Sequence, residues 1–255
     1  MNHNIRETII VLADISGYTR FIIAHATALA HTQTIISELI HTLLSQVQPP
    51  LQVAEIEGDA LFLYARKDDD IRWEEFRKQL GKTLLKFMEA FMGKIEELQQ
   101  SNLCSCTPCR NVDQLKLKII VHKGESLAYT LDKFMKISGV DVILAHRLLK
   151  NSADAHEYIL MTAPAYDYIR FPMDLAVDRG TETYEHIGGV KTYIHIPEKH
   201  NTAVDTLTQK QFSYDSLFFK IKNMVIKVFV PLLAQFRLKK LPKLRKLEKV
   251  MLETK

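Results

Sequence analysis

Two aspartates sit where a sheet could hand them to a phosphate-bound metal. Asp14 follows the apolar run Val11-Leu12-Ala13 and precedes Ile15-Ser16-Gly17-Tyr18-Thr19. Asp59 follows Gly58 in the tight turn of EIEGDALF. If the strands that carry them are neighbours, the carboxylates converge at one sheet end. Paired oxygen ligands beside a helix N-terminus suit Mg²⁺ or Mn²⁺ carrying phosphates. The small Ser16 and Gly17 would let backbone N–H groups approach a triphosphate. Either aspartate alone reads as a turn former or helix cap; the pair in context is the more specific signal. A second cluster is Cys104-Ser-Cys106-Thr-Pro-Cys109. Its spacing lets three sulfurs reach one tetrahedral ion such as Zn²⁺, with His122 as a fourth ligand. A water or a partner chain would serve equally, and the loop also allows a redox-sensing thiol group or three inert small residues. His25, His31 and His41 lie six and ten residues apart on one expected helix. That spacing does not suit a helical metal pair, so they read as surface or interface residues.

The elements that must position these residues follow from periodicity. Residues 7–13 (ETIIVLA) form a buried strand. A helix over 19–48 ends at Pro49-Pro50. Strands 51–57 and 60–65 join at Gly58-Asp59. Asp68-Asp69-Asp70 opens a helix over 71–100, where acids complement the N-terminal dipole. A Cys-rich loop spans 101–113. Residues 115–122 alternate as a strand, with 125–131 as its hairpin partner. A helix covers 139–151, a strand 158–162, and a short helix starts at Pro164. Strands 184–187 and 191–196 turn around Gly188-Gly189. Strands and helices mix without strict βαβα alternation, so the expected class is α+β.

The chain has 255 residues, 47% hydrophobic and 25% charged, ordinary for a globular protein with a sizeable core. No apolar run reaches the ~18 residues a spanning helix needs. The N-terminus lacks a small-residue cleavage site. Three cysteines in one loop are no secreted disulfide framework, which points to the cytoplasm. The net charge of +4 is uneven: residues 214–255 hold eleven Lys/Arg against Asp215, Glu248 and Glu253, leaving residues 1–213 at −4. This tail interleaves its basic residues with Phe218, Phe219, Val225, Phe229, Leu232, Leu233 and Phe236. It reads as a basic amphipathic helix, broken at Pro231 and Pro242. Its Leu/Phe/Val face would pack on protein or lie on an acidic membrane surface, making the chain peripheral at the inner membrane face. No nucleic-acid module accompanies it.

LADISGYTRF resembles the first-strand signature of class III adenylate/guanylate cyclases, and EIEGDALFLYA resembles their Gly-Asp hairpin. LKIIVHKGE resembles the strand leading to their dimer-facing segment. SGVDVILAHRLL resembles the following helix, and KTYIHI the closing strand. All five occur in the family's order. Together with the CxCxxC loop they are most similar to a bacterial branch of that superfamily with no assigned activity. The resemblance implies a ferredoxin-like cyclase domain over 1–200, followed by a linker and basic helical tail over 201–255. By that resemblance Asp14, Asp59 and the carbonyl of Ile15 hold two metals. Ser16, Gly17, Tyr18 and Thr19 lie at the β- and γ-phosphates, and Arg147 stabilises the transition state. The site forms at the interface of a head-to-tail homodimer. The metals would activate the ribose 3′-hydroxyl of ATP or GTP, releasing pyrophosphate.

Three departures fall on the other half of the site. Ile143 stands where the family has an Asn, and it cannot hydrogen-bond a ribose. Glu55 and Lys136 occupy the base-reading positions, where they would read a base or form a cross-subunit ion pair. No Lys occurs near Glu185 or His186, where a second transition-state base is expected. Losing the Asn and the Lys costs several kcal/mol, on the order of 10³-fold in rate. The sequence therefore points to a metal-dependent nucleotide-binding protein with weak, altered or lost cyclase activity. The alternative is a non-catalytic dimeric signalling module that uses the Cys loop and tail to contact a partner or membrane.

Overall fold

The computed structural model describes residues 5–67, 73–100, 106–132 and 134–197. The expected linker and basic tail lie outside them, as do Asp68–Asp70 and Cys104. The architecture is a mixed α+β fold around one open eight-stranded sheet, in the order β2-β3-β1-β4-β6-β8-β7, with β5 paired to β4.

β1 (Ile5–Ser16) is central because both of its faces are apolar. Ile9, Val11, Ala13 and Ile15 enter one core, while Ile10 and Leu12 enter the other. On its edges β1 pairs antiparallel with β3 (Ala60–Arg66) and β4 (Lys116–Leu131). β2 (Gln52–Glu57) joins β3 through the two-residue Gly58-Asp59 turn, where Gly58 has φ +64°. Glycine at the first central position is what a tight hairpin favours.

The first core lies between the sheet and a layer of helices: α1 (Tyr18–Ala24), α2 (Leu29–Leu44), α3 (Trp73–Gln100) and α6 (Ala163–Tyr168). Its centre is Phe21, Phe87 and Phe91. The short α4 (Thr107–Arg110) packs onto the same layer through Cys109. The second core lies under α5 (Val140–Arg147), through Val142, Leu144 and Ala145.

Three expectations are corrected. The long first helix divides at His25, which is buried rather than superficial. Its Nδ1 lies 2.7 Å from the Phe21 carbonyl, taking an acceptor the helix would otherwise use. Residues 116–131 are one strand instead of a hairpin, and β5 (Phe134–Ser138) is the hairpin partner of its end. Gly124, between the two expected hairpin arms, stays in register with Thr8 of β1. The last hairpin, β7 (Asp178–Tyr184) and β8 (Gly188–His195), turns at residues 185–187, with His186 at φ +66°, so Gly188 already belongs to the strand. β6 (Tyr158–Thr162) runs parallel to β4 and antiparallel to β8. Among the described residues, no helix is long and apolar enough to cross a membrane.

Candidate functional site

Asp14 stands near the C-terminal end of β1, opposite Ala60 on β3 and Lys118 on β4. It shares the parity of Ile10 and Leu12, so it points to the α5 side of the sheet. The Gly58-Asp59 turn closes onto the same end, where the Ile15 N–H donates to the Asp59 carbonyl at 3.3 Å. The Ile15 side chain is buried in the first core, leaving only its backbone at this corner. The Asp59 carboxyl is pushed up to about 6, first by burial and second by the charge of Asp14. The two acids of the sequence analysis therefore share one electrostatic environment.

A cation already lies in it. Lys118 Nζ is 2.9 Å from Asp14 Oδ2, and its charge opposes the rise at Asp59. Periodicity did not single this lysine out. The sequence shows only that Lys116 and Lys118 alternate with Leu117 and Ile119; the β1–β4 register is what puts Lys118 beside Asp14.

Gly17 leads from β1 into α1 at φ +87°, a conformation that glycine adopts without cost. A Cβ there would come 3.0 Å from the Gln114 carbonyl oxygen. Phe21 makes the first helical bond back to Gly17, so the N–H groups of Tyr18 and Thr19 have no intrahelical acceptor. The Tyr18 hydroxyl lies 4.0 Å from where a Cβ on Gly58 would stand, so the two loops are close neighbours. Ser16 to Thr19, Asp14 and Asp59 thus form one corner.

The remaining expected residues fall elsewhere. Glu55 on β2 and Lys136 on β5 form a 2.8 Å ion pair within one chain, instead of between subunits. Its hydrogen bond with Glu55, aided by their opposite charges, raises the Lys136 ammonium above its ordinary range. Arg147 is exposed at the end of α5, and Ile143, one turn earlier on the same face, is 56% exposed. Glu185 and His186 are exposed at the tip of the last hairpin.

His122 is not a ligand of the cysteine cluster. It is buried on β4, with Nε2 3.1 Å from Asp141 Oδ1 and Nδ1 2.9 Å from Thr162 Oγ1. A neutral ring satisfies both by donating to Asp141 and accepting from the threonine hydroxyl. Burial holds its pKa below the ordinary value, against the pull of Asp141. The Glu125 N–H donates to Asp141 Oδ2 at 2.6 Å, and a Cβ on Gly124 would collide with that carboxylate. The VHKGE stretch is therefore a seat for Asp141, which fixes the start of α5. Sequence reasoning missed Asp141. The residue that comes to Cys106 and Cys109 is His31 on α2, and the three ligand atoms lie within 4.8 Å of one another.

Comparison with known proteins gives three kinds of match. A family model described as a protein of unknown function (DUF2652) matches residues 36–158. An uncharacterized protein of Mycobacterium tuberculosis, Rv2561/Rv2562, is 29% identical over 147 residues, covering 56% of this chain and 65% of that protein. The matched stretch thus spans less than two thirds of that relative. Among solved structures, the guanylyl cyclase Cya2 superposes with a TM-score of 0.57 at 13% identity, covering 76% of this chain and 94% of that one. The adenylyl cyclase CyaB from Pseudomonas aeruginosa gives 0.55 at 14%, covering 77% and 96%. A class III adenylyl cyclase-like ATP-binding protein from the same organism gives 0.53 at 15%, covering 65% and 35%. These likenesses show the fold, which is that of the class III cyclase domains.

Proposed function

We propose that this chain is a divalent-metal-dependent nucleotide-binding protein on a class III cyclase fold, with cyclase chemistry weak, altered or lost. The observation that carries this reading is the corner at the end of β1. There Asp14, Asp59, the Ile15 backbone and the Gly17 turn come together, and Asp59 is raised partly by Asp14. Two crowded carboxylates suit Mg²⁺ or Mn²⁺, which lowers their mutual repulsion. Asp14, Asp59 and the Ile15 carbonyl would hold the metal, and the N–H groups of Tyr18 and Thr19 would face the phosphates. The bound metal would supply charge neutralisation at the phosphates and activation of a ribose hydroxyl.

The transition-state half is thinner. Arg147 is exposed and available to a second subunit in a head-to-tail dimer. Ile143 beside it offers no hydrogen bond. The Glu55–Lys136 pair spends its polar groups on itself, so a base must compete with an ion pair. One structural neighbour is described as a class III adenylyl cyclase-like ATP-binding protein, which accords with nucleotide binding on this fold.

The test is calorimetric binding of ATP and of GTP with Mn²⁺, with products read by mass spectrometry. Asp14→Ala and Asp59→Ala should each weaken nucleotide binding at least about tenfold, the scale of a lost charged ligand. Cyclic nucleotide should form slowly or not at all. Binding that survives both substitutions would end this reading in favour of a non-catalytic dimeric module. The exposed apolar side chains of Met135, Val140 and Ile143, on the adjoining β5 and α5, favour a pairing surface in either case.

A further inference from the structure

We infer that His31, Cys106 and Cys109 form a second metal site, distinct from the carboxylate corner and selective for Zn²⁺ or a similar thiophilic ion. The three donors come from separate parts of the chain. Cys106 and Cys109 flank Thr107 and Pro108 at the short α4, and His31 lies 75 residues before Cys106, on α2. His31 Nδ1 is 3.2 Å from Cys106 Sγ, and all three ligand atoms lie within 4.8 Å of one another. Zinc bonds of about 2.3 Å to sulfur and about 2.0 Å to imidazole nitrogen place tetrahedral ligand atoms roughly 3.5–3.8 Å apart. The cluster is therefore within about an ångström of a coordinating arrangement.

A second observation points to a small occupant. A cavity of about 10 Å³ is lined by His31, Thr34, Ile35 and Cys109. That is space on the scale of one ion or one water. The cavity adjoins two members of the cluster, whose imidazole and thiols are a softer donor set than the oxygen ligands at Asp14 and Asp59. Cys109 is buried in the first core, and Cys106 and His31 are half-buried, so exchange with solvent runs past those two. Three protein donors leave one tetrahedral position for a fourth.

The site lies behind the nucleotide corner. Asn111, at the end of α4, is 3.3 Å from His25 Nε2 at the break between α1 and α2. Gln114, three residues further, carries the carbonyl that crowds Gly17. An ion on His31, Cys106 and Cys109 would clamp α2 to α4, and with it the segment that backs the phosphate-facing turn.

The experiment is a Co²⁺ titration of the reduced full-length chain under anaerobic conditions, followed by Zn²⁺ competition. One equivalent should give the sulfur-to-cobalt charge-transfer absorption and the strong visible bands of a tetrahedral ion, and Zn²⁺ should displace it. Cys106→Ser and His31→Ala should each weaken binding at least tenfold and alter the spectrum. His31→Cys should retain binding with a stronger charge-transfer band. Asp59→Asn should leave the spectrum unchanged, which separates this site from the carboxylate corner whatever becomes of that corner. His31 and Cys106 are half-buried, so these variants retain the fold where a change at buried Cys109 would not, and far-ultraviolet dichroism checks this. Absence of a thiolate band in the folded wild type would overturn the proposal. So would a band indifferent to His31→Ala, or a Cys106–Cys109 disulfide whose reduction restores no metal binding.

Discussion

Lys118 sets the character of the carboxylate corner. Its ammonium lies 2.9 Å from Asp14 Oδ2, close to where a metal shared by Asp14 and Asp59 would carry its charge. Two cations cannot occupy that corner cheaply, since like charges ~4 Å apart at a protein surface repel by a few kcal/mol. Metal binding must therefore displace the lysine, and the apparent metal affinity carries that penalty. Lys118→Ala should tighten Mn²⁺ binding about tenfold, the ratio for ~1.4 kcal/mol, in a titration followed by electron paramagnetic resonance. Unchanged or weaker binding would show that Lys118 helps the site in some other way. Asp14 and Asp59 were legible in the sequence because an acid after an apolar run and an acid after a turn glycine are local signals. Lys118 was not, because its place beside Asp14 exists only through the β1–β4 register. His31 was missed for the same reason, since its cysteine partners are 75 residues or more away in sequence.

At the scale of elements, the junction between β4 and α5 decides where Arg147 stands. His122, Gly124 and the Glu125 N–H together seat Asp141 in the first turn of α5. Gly139 precedes the helix at φ +148°, and a Cβ there would press on the Glu125 carbonyl at 3.2 Å. Here the sequence misled, because a glycine inside an alternating run reads as a turn, whereas Gly124 marks a close approach of a helix to a strand. The lock is pH-sensitive, and its sign is fixed. Burial lowers the His122 pKa, with Asp141 opposing the shift and Lys123 adding to it. Above the unfolded value of about 6.5 both states are neutral and the contribution is complete. As the pH falls below that value, the unfolded chain takes up a proton that the folded ring resists, so stability is lost. Asp59, raised to about 6, acts with the opposite sign over a lower window, so the comparison must be made between variants. His122→Gln should cost about 1 kcal/mol near neutral pH, from the lost hydrogen bonds, and should flatten the acid-side fall in melting temperature. An unchanged acid slope would remove His122 as its source. Asp141→Ala should lower any turnover through Arg147 while leaving Mn²⁺ affinity at Asp14 and Asp59 within about twofold, on the rule that sites without shared partners act independently.

For the whole molecule, the order of motifs sufficed to specify the α+β class, whereas nearly all of β5 and β7 lies outside the motifs and was not foreseen. The second core and its outer surface were not legible, because exposure is a property of the assembled sheet. Val53 and Ile56 on β2, Met135 on β5, and Val140 and Ile143 on α5 are all between 42% and 70% exposed. α5 contacts β5, so Met135, Val140 and Ile143 belong to neighbouring elements, whereas Val53 and Ile56 pair with Leu63 and Leu61 of the first-core face. Large contiguous apolar exposure is uncommon on a lone globular chain and marks a partner surface. A second copy is the partner that a head-to-tail site would require, with Arg147 supplied across the pairing. Charge on this surface should therefore divide assembly from folding. Met135→Glu together with Val140→Glu should shift the chain from dimer to monomer in sedimentation velocity, with at least about tenfold weaker association. The melting temperature of the dilute chain should barely move, because substitutions at exposed positions usually change stability by no more than about 0.5 kcal/mol. Nucleotide binding at the carboxylate corner should persist in the monomer, while any cyclic product should disappear with the partner's arginine. A wild-type chain that sediments as a monomer at all concentrations would sever Arg147 from the site and leave the corner as a binding device alone.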